Sequence, residues 1–311
     1  MQLPPLTRRL IPRFTAAAAK GDHGRILVVG GGGEYTGAPF YAASAALKTG
    51  SDLAIVVCSV DATVPIRVHG GGELIVHGLL DVPHDPIDPR LASVLERVHA
   101  VVVGPGLSRG ASALATAAAV LQWTRARGVP IVCDGDALWM AAQNPALIRA
   151  HASVVLTPNA VEYARLWVAA GGGAGVPGDA AALSSLLGGV AVLRKGSDDD
   201  IACGTIDSGA AAAISCTISD AGSPRRCGGQ GDVLAGSCAT FLAWAARGGW
   251  LSGREGVSRA ESLVAAAAGG ALLTRTAAAA AFEDCGRATT TPDILARVGR
   301  AFETAFPDTL W

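Results

Sequence analysis

Short, continuously apolar runs recur through the first 200 residues, and each ends in a polar or glycine-rich break. Runs of this kind indicate strands that are covered on both faces, as in a parallel sheet. Segments with helical patterns, such as 40–48 and 111–125, lie between them. This alternation predicts a doubly wound α/β domain, with a mostly parallel central sheet and helices on both faces. The predicted strands span 25–29, 52–58, 74–76, 100–103, 130–133, 153–156 and 190–193.

The pattern changes after residue 200. The segments 201–203 and 212–216 are predicted to be short antiparallel strands. Helices are predicted over 232–247, 259–278 and 292–306, and the glycine-rich stretch 171–178 is interpreted as a surface loop. We find no internal repeat, so the whole chain, 1–311, is predicted to form a single domain.

Composition and charge exclude several classes of partner. Half of the residues are apolar, 16% are charged, and the formal net charge is −1. No run of Lys or Arg exceeds two residues, whereas nucleic-acid and anionic-membrane surfaces depend on clustered cations, so we expect neither partner. The apolar stretches 233–246 and 263–273 are shorter than the roughly 18 to 20 residues of a membrane-spanning helix. They therefore predict buried helices.

Cysteine usage and the first residues bear on the compartment. Seven cysteines without a C-x-x-C pair are typical of reduced thiols in an intracellular protein. The first twenty residues carry four basic residues and no acidic one, as mitochondrial presequences do, but Pro4, Pro5 and Pro12 interrupt any amphipathic helix. We expect a cytoplasmic protein, with a mitochondrial location left open.

The strongest local motif is the segment 222–232, Gly-Ser-Pro-Arg-Arg-Cys-Gly-Gly-Gln-Gly-Asp, which leads directly into a long apolar helix. Its glycines let the backbone turn tightly, and the helix N-terminus adds partial positive charge, which together favour a phosphate or a developing oxyanion. Arg225 and Arg226 can reach phosphate oxygens. Asp232 can accept the proton of an attacking hydroxyl, or it can simply cap the helix.

A second glycine run, Gly30 to Gly33, follows the first predicted strand. It lacks the third glycine of G-x-G-x-x-G, and no Gly-Lys-Ser/Thr follows for a P-loop. The run is either a tight turn or a place where a ligand approaches the backbone at the carboxyl end of the sheet. The sequence leaves both interpretations open.

The glycine-rich helix start that ends in an aspartate resembles that of the ribokinase-like superfamily. Within it, the chain is similar from end to end to the ATP- or ADP-dependent NAD(P)H-hydrate dehydratases. Because the resemblance begins near Leu6, it argues against a presequence, and its main departure is Ser108, where glycine is more usual. The matching segments are KG at 20–21, GR at 24–25, EYTGAP at 34–39, LKxGxD at 47–52, ELIVH at 73–77, VGPGL at 103–107, LTPN at 156–159, KG at 195–196 and RCGGQGD at 226–232.

The resemblance implies a role for each matching position, with Asp232 as the general base. In the wider superfamily, an Asn and a Glu at the positions of Asn159 and Glu162 help to manage Mg²⁺, but the metal ligands stay unassigned here. The implied substrate-binding residues are Gly104, Gly106, Asn159, Ala160, Val161, Glu162, Tyr163, Ala164, Arg165 and Asp232. The implied nucleotide-binding residues are Lys195, Gly196, Ser197, Asp198, Asp199, Gly222, Ser223, Pro224, Arg225, Arg226, Cys227, Gly228, Gly229, Gln230 and Gly231.

The activity that the resemblance implies is dehydration of the S epimers of NADH-hydrate and NADPH-hydrate, which releases ADP and phosphate. ATP would be the co-substrate and Mg²⁺ the cofactor, and the motif at 225–232 favours ATP over ADP. A separate epimerase is expected to act in the same pathway. Whether the chain forms a homo-oligomer stays open.

Two alternatives remain at the level of sequence. A ribokinase-like kinase for a vitamin-precursor alcohol would use the same site but release a stable phosphate ester. A non-catalytic nucleotide-binding module would need only the phosphate cradle, and the presence of Asp232 and Lys195 beside the glycine loop argues against it.

Overall fold

The central feature of the fold is one sheet of nine strands, found in a computed structural model that describes residues 4–82, 87–204, 213–220 and 222–309. Its strand order is β3-β2-β1-β4-β5-β6-β7-β8-β9. Strands β1 to β7 are parallel, and β8 and β9 are antiparallel, which confirms the predicted fold class. The strands are β1 Arg25–Val29, β2 Leu53–Cys58, β3 Ile75–Gly78, β4 Ala100–Val103, β5 Ile131–Cys133, β6 Val154–Leu156, β7 Ala191–Arg194, β8 Asp199–Cys203 and β9 Ile214–Ile218.

Helices cover both faces of the sheet. Ile26 and Val28 of β1 pack into the layer that contains α2, α9, α10 and α11, whereas Leu27 and Val29 pack into the layer that contains α4 to α8. Burial on both faces explains why the strands are continuously apolar. The helices are α1 Pro5–Leu10, α2 Gly37–Thr49, α3 Thr63–His69, α4 Pro89–Leu95, α5 Ala111–Arg127, α6 Asp136–Gln143, α7 Ala160–Ala169, α8 Ala180–Leu186, α9 Gln230–Arg247, α10 Arg259–Cys285 and α11 Thr291–Ala305.

Helix α10 is longer than its apolar pattern predicted. With the short 3₁₀ turn that follows, it spans the 30 residues 259–288 and is long and apolar enough to cross a membrane, so the expectation that all apolar stretches are too short was wrong. However, 72% of its most apolar window is buried inside the protein, where it packs against α9 and α11. The helix is therefore accounted for as part of the core.

The other predicted elements differ from the structure mainly at their ends. Helix α9 begins at Gln230, two residues before the predicted start, because the first turn is made by the glycine-rich motif itself. Residue 212, the predicted start of the last strand, lies outside the described residues, and β9 begins at Ile214.

The strand order places a crevice between β1 and β4. The chain moves from β1 outward through β2 to β3, and then returns to the other side of β1 with β4. At such a reversal, the loops that follow the two strands separate, and ligands of doubly wound folds bind there. The loops after β5, β6 and β7 lie along the same edge, because these strands run parallel to β4.

Candidate active site

Two glycine loops pack against each other at the crevice. The N–H groups of Gly31 and Gly32 donate to the carbonyl of Gly106, at 3.0 and 2.7 Å. Gly104 has φ +119°, and a Cβ at this position would lie 1.8 Å from the carbonyl oxygen of Asp134. Only glycine fits there. The run Gly30 to Gly33 is thus a tight turn, and it also forms one wall of the crevice.

Ser108 continues the second glycine loop in a left-handed conformation. Its φ is +66°, which explains why glycine is the more usual residue at this position. The Ser108 N–H donates to Oδ2 of Asp136 at 3.0 Å, and Arg109 lies 3.3 Å from the other oxygen. These contacts hold the loop in place despite the unfavourable conformation.

Four charged side chains from four elements meet at the carboxyl edge of the sheet. Lys195 follows β7, and its Nζ donates to Oδ1 of Asp134 at 2.8 Å and lies 4.0 Å from Oε2 of Glu162. Asp232, in the first turn of α9, is half-buried beside them. These four residues, the charged cluster, comprise three carboxylates and one ammonium group.

Burial and mutual repulsion control the ionisation of the cluster. Burial raises the pKa of Asp232 well above its ordinary value, and Asp134 adds to this while Lys195 opposes it. Burial also raises the pKa of Glu162 against the influence of Lys195. Burial disfavours the charged form of Lys195, but the attraction of Asp134 and Glu162 is larger than this effect, so the pKa of Lys195 is raised. Asp232 is therefore the carboxylate best prepared to take up a proton.

The N-terminus of α9 presents backbone N–H groups next to Asp232, as an anion site would require. The preceding residue, Gly229, has φ +98°, and no side chain caps the helix, so its first N–H groups stay available. Among the described residues, none forms a hydrogen bond with the Asp232 carboxylate. The alternative role of Asp232 as a helix cap is therefore not found.

The glycine-rich loop is anchored on the junction between α10 and α11. The Arg225 Nε donates to the carbonyl of Thr289 at 2.9 Å, and Thr291 Oγ1 donates to the carbonyl of Gly228 at 2.6 Å. Arg226 is exposed. The two arginines, which the sequence grouped together as phosphate ligands, thus differ: Arg225 braces the loop, whereas Arg226 makes no such contact with the part of the chain that the structure describes.

Arg275 of α10 connects the first segment predicted to hold the nucleotide with the end of β9, just before the second segment. It bonds to Asp199 at 3.3 Å and to the carbonyls of Ser197 and Asp220. Asp199 also accepts from the Gly196 N–H at 3.1 Å and is 6% exposed, so it acts as an internal brace rather than facing a ligand. Sequence reasoning missed Arg275, although it is the only charged residue between Glu261 and Glu283.

The segment 159–165 divides between the cleft and the core. Asn159 and Glu162 form a capping box at the start of α7, and only Glu162 also approaches Lys195. Tyr163 points away: it is 1% exposed, and its hydroxyl donates to the carbonyl of Asp179. The structure therefore does not bring the Tyr163 side chain to the cleft, because helical periodicity turns it towards the core. The remaining residues, Ala160, Val161, Ala164 and Arg165, are exposed on α7.

The architecture is that of a ribokinase-like α/β fold. A ribokinase-like superfamily protein of Enterococcus faecalis has the same fold, with a TM-score of 0.65 at 20% identity over 96% of this chain and 94% of that one. The ADP/ATP-dependent NAD(P)H-hydrate dehydratase of Bacillus subtilis, co-crystallised with ATP/Mg²⁺, superposes with a TM-score of 0.63 at 20% identity over 97% and 100%.

Sequence comparison identifies the family. The model of the NAD(P)H-hydrate dehydratase family matches residues 26–300. The ATP-dependent (S)-NAD(P)H-hydrate dehydratase of Bos taurus is 44% identical over 97% of this chain and 88% of its own length. The Homo sapiens protein of that description is 42% identical over 97% and 84%. The chain belongs to the NAD(P)H-hydrate dehydratase family.

Proposed function

We propose that this protein dehydrates the S epimers of NADH-hydrate and NADPH-hydrate, and that it consumes ATP and releases ADP and phosphate. The observation that carries the proposal is the Asp232 carboxylate, which forms no hydrogen bond with any described residue and lies in the first turn of an uncapped helix, within electrostatic reach of the Lys195 ammonium group. This arrangement pairs a base with an anion site, as phosphoryl transfer requires. Membership of the family supplies the substrate class.

The first half of the reaction is phosphoryl transfer to the hydrate. Asp232 accepts the proton of the hydroxyl on C6 of the nicotinamide ring. At the same time, the oxygen of that hydroxyl attacks the terminal phosphorus of ATP. The N–H groups at the start of α9 stabilise the charge that spreads over the transferred group, and Lys195 adds a positive charge beside them. The products are ADP and a phosphate ester of the hydrate.

The second half expels phosphate and restores the ring. The lone pair of the ring nitrogen forms a double bond to C6, and phosphate leaves with both electrons of the C6–O bond. A proton then leaves C5, and its bonding electrons form the C5–C6 double bond while the nitrogen recovers its lone pair. The hydroxyl oxygen departs within inorganic phosphate, so the net result is loss of water from the substrate.

The charged cluster fits Mg²⁺ that arrives with the nucleotide. This ion is usually held by one or two carboxylates together with substrate phosphates, and Glu162 would supply such a carboxylate. The described residues contain no group of three His, Cys, Asp or Glu that could hold a metal by themselves. When bound, Mg²⁺ would neutralise negative charge on the phosphates.

The supply of substrate and the compartment complete the proposal. Because the S epimer is the proposed substrate, a separate epimerase would make the other epimer available. We place the reaction in the cytoplasm, where reduced cysteines are maintained; all seven cysteines of the chain are free thiols.

The test is incubation of the protein with ATP, Mg²⁺ and hydrated NADPH. We expect the absorbance of the reduced nicotinamide to recover, with one ADP and one inorganic phosphate formed for each NADPH. A small-molecule kinase would instead leave a stable phosphate ester and no recovered absorbance. Binding of ATP without any turnover would indicate a non-catalytic module and contradict the proposal.

A further inference from the structure

Asp134 lies where the two predicted halves of the site meet. Its carbonyl oxygen occupies the space that a Cβ on Gly104 would need, so its backbone is pressed against the substrate loop. Its side chain, 6% exposed, contacts Lys195 of the nucleotide segment.

The Asp134 side chain is itself held firmly. Its Oδ1 accepts from Thr157 Oγ1 at 2.8 Å, and Thr157 is fully buried. The Asp134 N–H donates to the carbonyl of Val103 at 3.0 Å, which fixes the turn after β5. A carboxylate fixed by buried partners can hold a flexible side chain in one position.

That flexible side chain is Lys195. One of its three N–H donors goes to Asp134, and Nζ lies 3.2 Å from the position of a Cβ on Gly231, in the first turn of α9. Oδ2 of Asp134 lies 3.6 Å from the same point. The ammonium group is thus beside the anion site, with donors left for phosphate oxygens.

We propose that Asp134 is a positioning residue, which holds Lys195 Nζ at the N-terminus of α9 so that it meets the terminal phosphoryl group of ATP. The inference rests on the proposed function, and it adds a residue that links the substrate loop to the nucleotide segment. Without Asp134, the four-carbon chain of Lys195 would be free to sample other rotamers, and Glu162, already 4.0 Å from Nζ, would compete for the ammonium group.

A double-mutant cycle tests this role. Asp134→Asn, Lys195→Met and the double variant are compared for kcat, for KM of each substrate, and for ATP affinity by calorimetry. We expect each single variant to lose about tenfold or more in ATP-dependent turnover, and the double variant to stay within about threefold of Lys195→Met, because coupled residues are not additive. KM for the hydrate should change least.

Two further variants separate positioning from folding. Thr157→Val removes the hydrogen bond to Asp134 without changing any charge, and it should lower turnover of the wild type. When Lys195 is already replaced by Met, adding Thr157→Val should cause no further loss. Asp52→Asn is the matched control: this carboxylate accepts from the N–H groups of Gly21 and His23 at 2.7 and 3.0 Å on the opposite edge of the sheet. It should leave both turnover and ATP affinity unchanged.

Independent losses that multiply in the double variant, or less than about a threefold effect of Asp134→Asn, would overturn the positioning role. Thermal denaturation identifies variants that fail to fold. If Asp134→Asn fails to fold, the comparison of Thr157→Val in the wild-type and Lys195→Met backgrounds decides the question. If the wild type does not dehydrate the hydrate but the cycle on ATP affinity shows coupling, the proposed function fails and the role of Asp134 stands.

Discussion

Replacement of Asp232 by Asn separates catalysis from binding at this site. The substitution keeps the size of the side chain and removes its ability to accept a proton. We expect kcat to fall by roughly 10² to 10⁴, the usual contribution of a general base. The effect should be in kcat because the base acts in the transition state, where the hydroxyl loses its proton.

The structure also predicts the effect on ATP affinity. The charged cluster carries three carboxylates and one ammonium group, a formal charge of −2, so loss of one carboxylate reduces repulsion of the incoming phosphates. Burial already raises the pKa of Asp232, so its neutral form is easily reached, and Asn imitates that form. ATP affinity should therefore be unchanged or tighter.

We expect the raised pKa of Asp232 to set the pH dependence of the wild type. Only the carboxylate form of Asp232 can accept the proton, so activity is present above its pKa and is lost as the pH falls through it. The loss should occur at a higher pH than an ordinary aspartate, with a pKa of 3.8, would allow. The Asn variant should lack this limb in its residual rate.

Steady-state kinetics and calorimetry with ATP, with the fold checked by circular dichroism, provide the measurements. Retention of more than about a tenth of the wild-type kcat would refute the role of Asp232 as general base. A large loss of ATP affinity in a folded variant would refute the view that its charge opposes the phosphates.

Three further substitutions test the supports of the site and the stability of the fold. Gly229→Val should weaken ATP binding at least about tenfold while the fold persists, because φ is +98° and the new Cβ would lie 2.8 Å from the Tyr41 ring. Gly299→Ala in α11, where the nearest atom to a new Cβ is the Lys48 carbonyl oxygen at 3.9 Å, is the calorimetric control. Arg275→Lys should raise KM for ATP by about tenfold and leave KM for the hydrate unchanged, because one ammonium group cannot replace the guanidinium contacts to Asp199 and two carbonyls; unaltered kinetics would contradict this. Burial lowers the pKa of His151 from 6.5 to about 4, so its contribution to stability is complete above pH 6.5 and is lost as the pH falls towards 4. The free energy of unfolding is measured in urea at pH 6.5 and at pH 4. Between these two pH values, the wild type should lose about 3 kcal/mol more of it than His151→Asn does. Equal losses in the two proteins would contradict the lowered pKa.

The sheet could be predicted from sequence because strands that are buried on both faces are continuously apolar. Strands such as β1 and β4 are short runs of Ile, Leu and Val that end at glycine, and the predicted limits agree with the structure. The glycine turn before α9 could also be predicted, since a tight turn before a helix requires glycine at defined positions. Gly229, with its left-handed backbone, is such a position.

The contacts that support the site could not be predicted in the same way, although the position of Asp134 directly after a predicted strand does indicate a place near the cleft. Asp134 and Arg275 are 141 residues apart in the chain, and they act through contacts that depend on which strands are neighbours. A resemblance over the segment 159–165 cannot show that Tyr163 faces the core, because that depends on the packing of α7 against the sheet. Local motifs predict where a ligand binds, but not which residues hold the motif in place.

The charge balance of the site argues that the nucleotide and its cation complete it together. Before any ligand binds, Lys195 is the one positive side chain in the charged cluster, and Asp134 already takes its shortest contact. The α9 N-terminus adds only about half a positive charge. Because the phosphates of ATP would increase the excess of negative charge, these two groups can orient the terminal phosphate but cannot neutralise it. Under the proposed function, the excess carboxylates would have distinct uses: Asp232 would act as the base, and Glu162 would offer an oxygen to the cation that accompanies the phosphates.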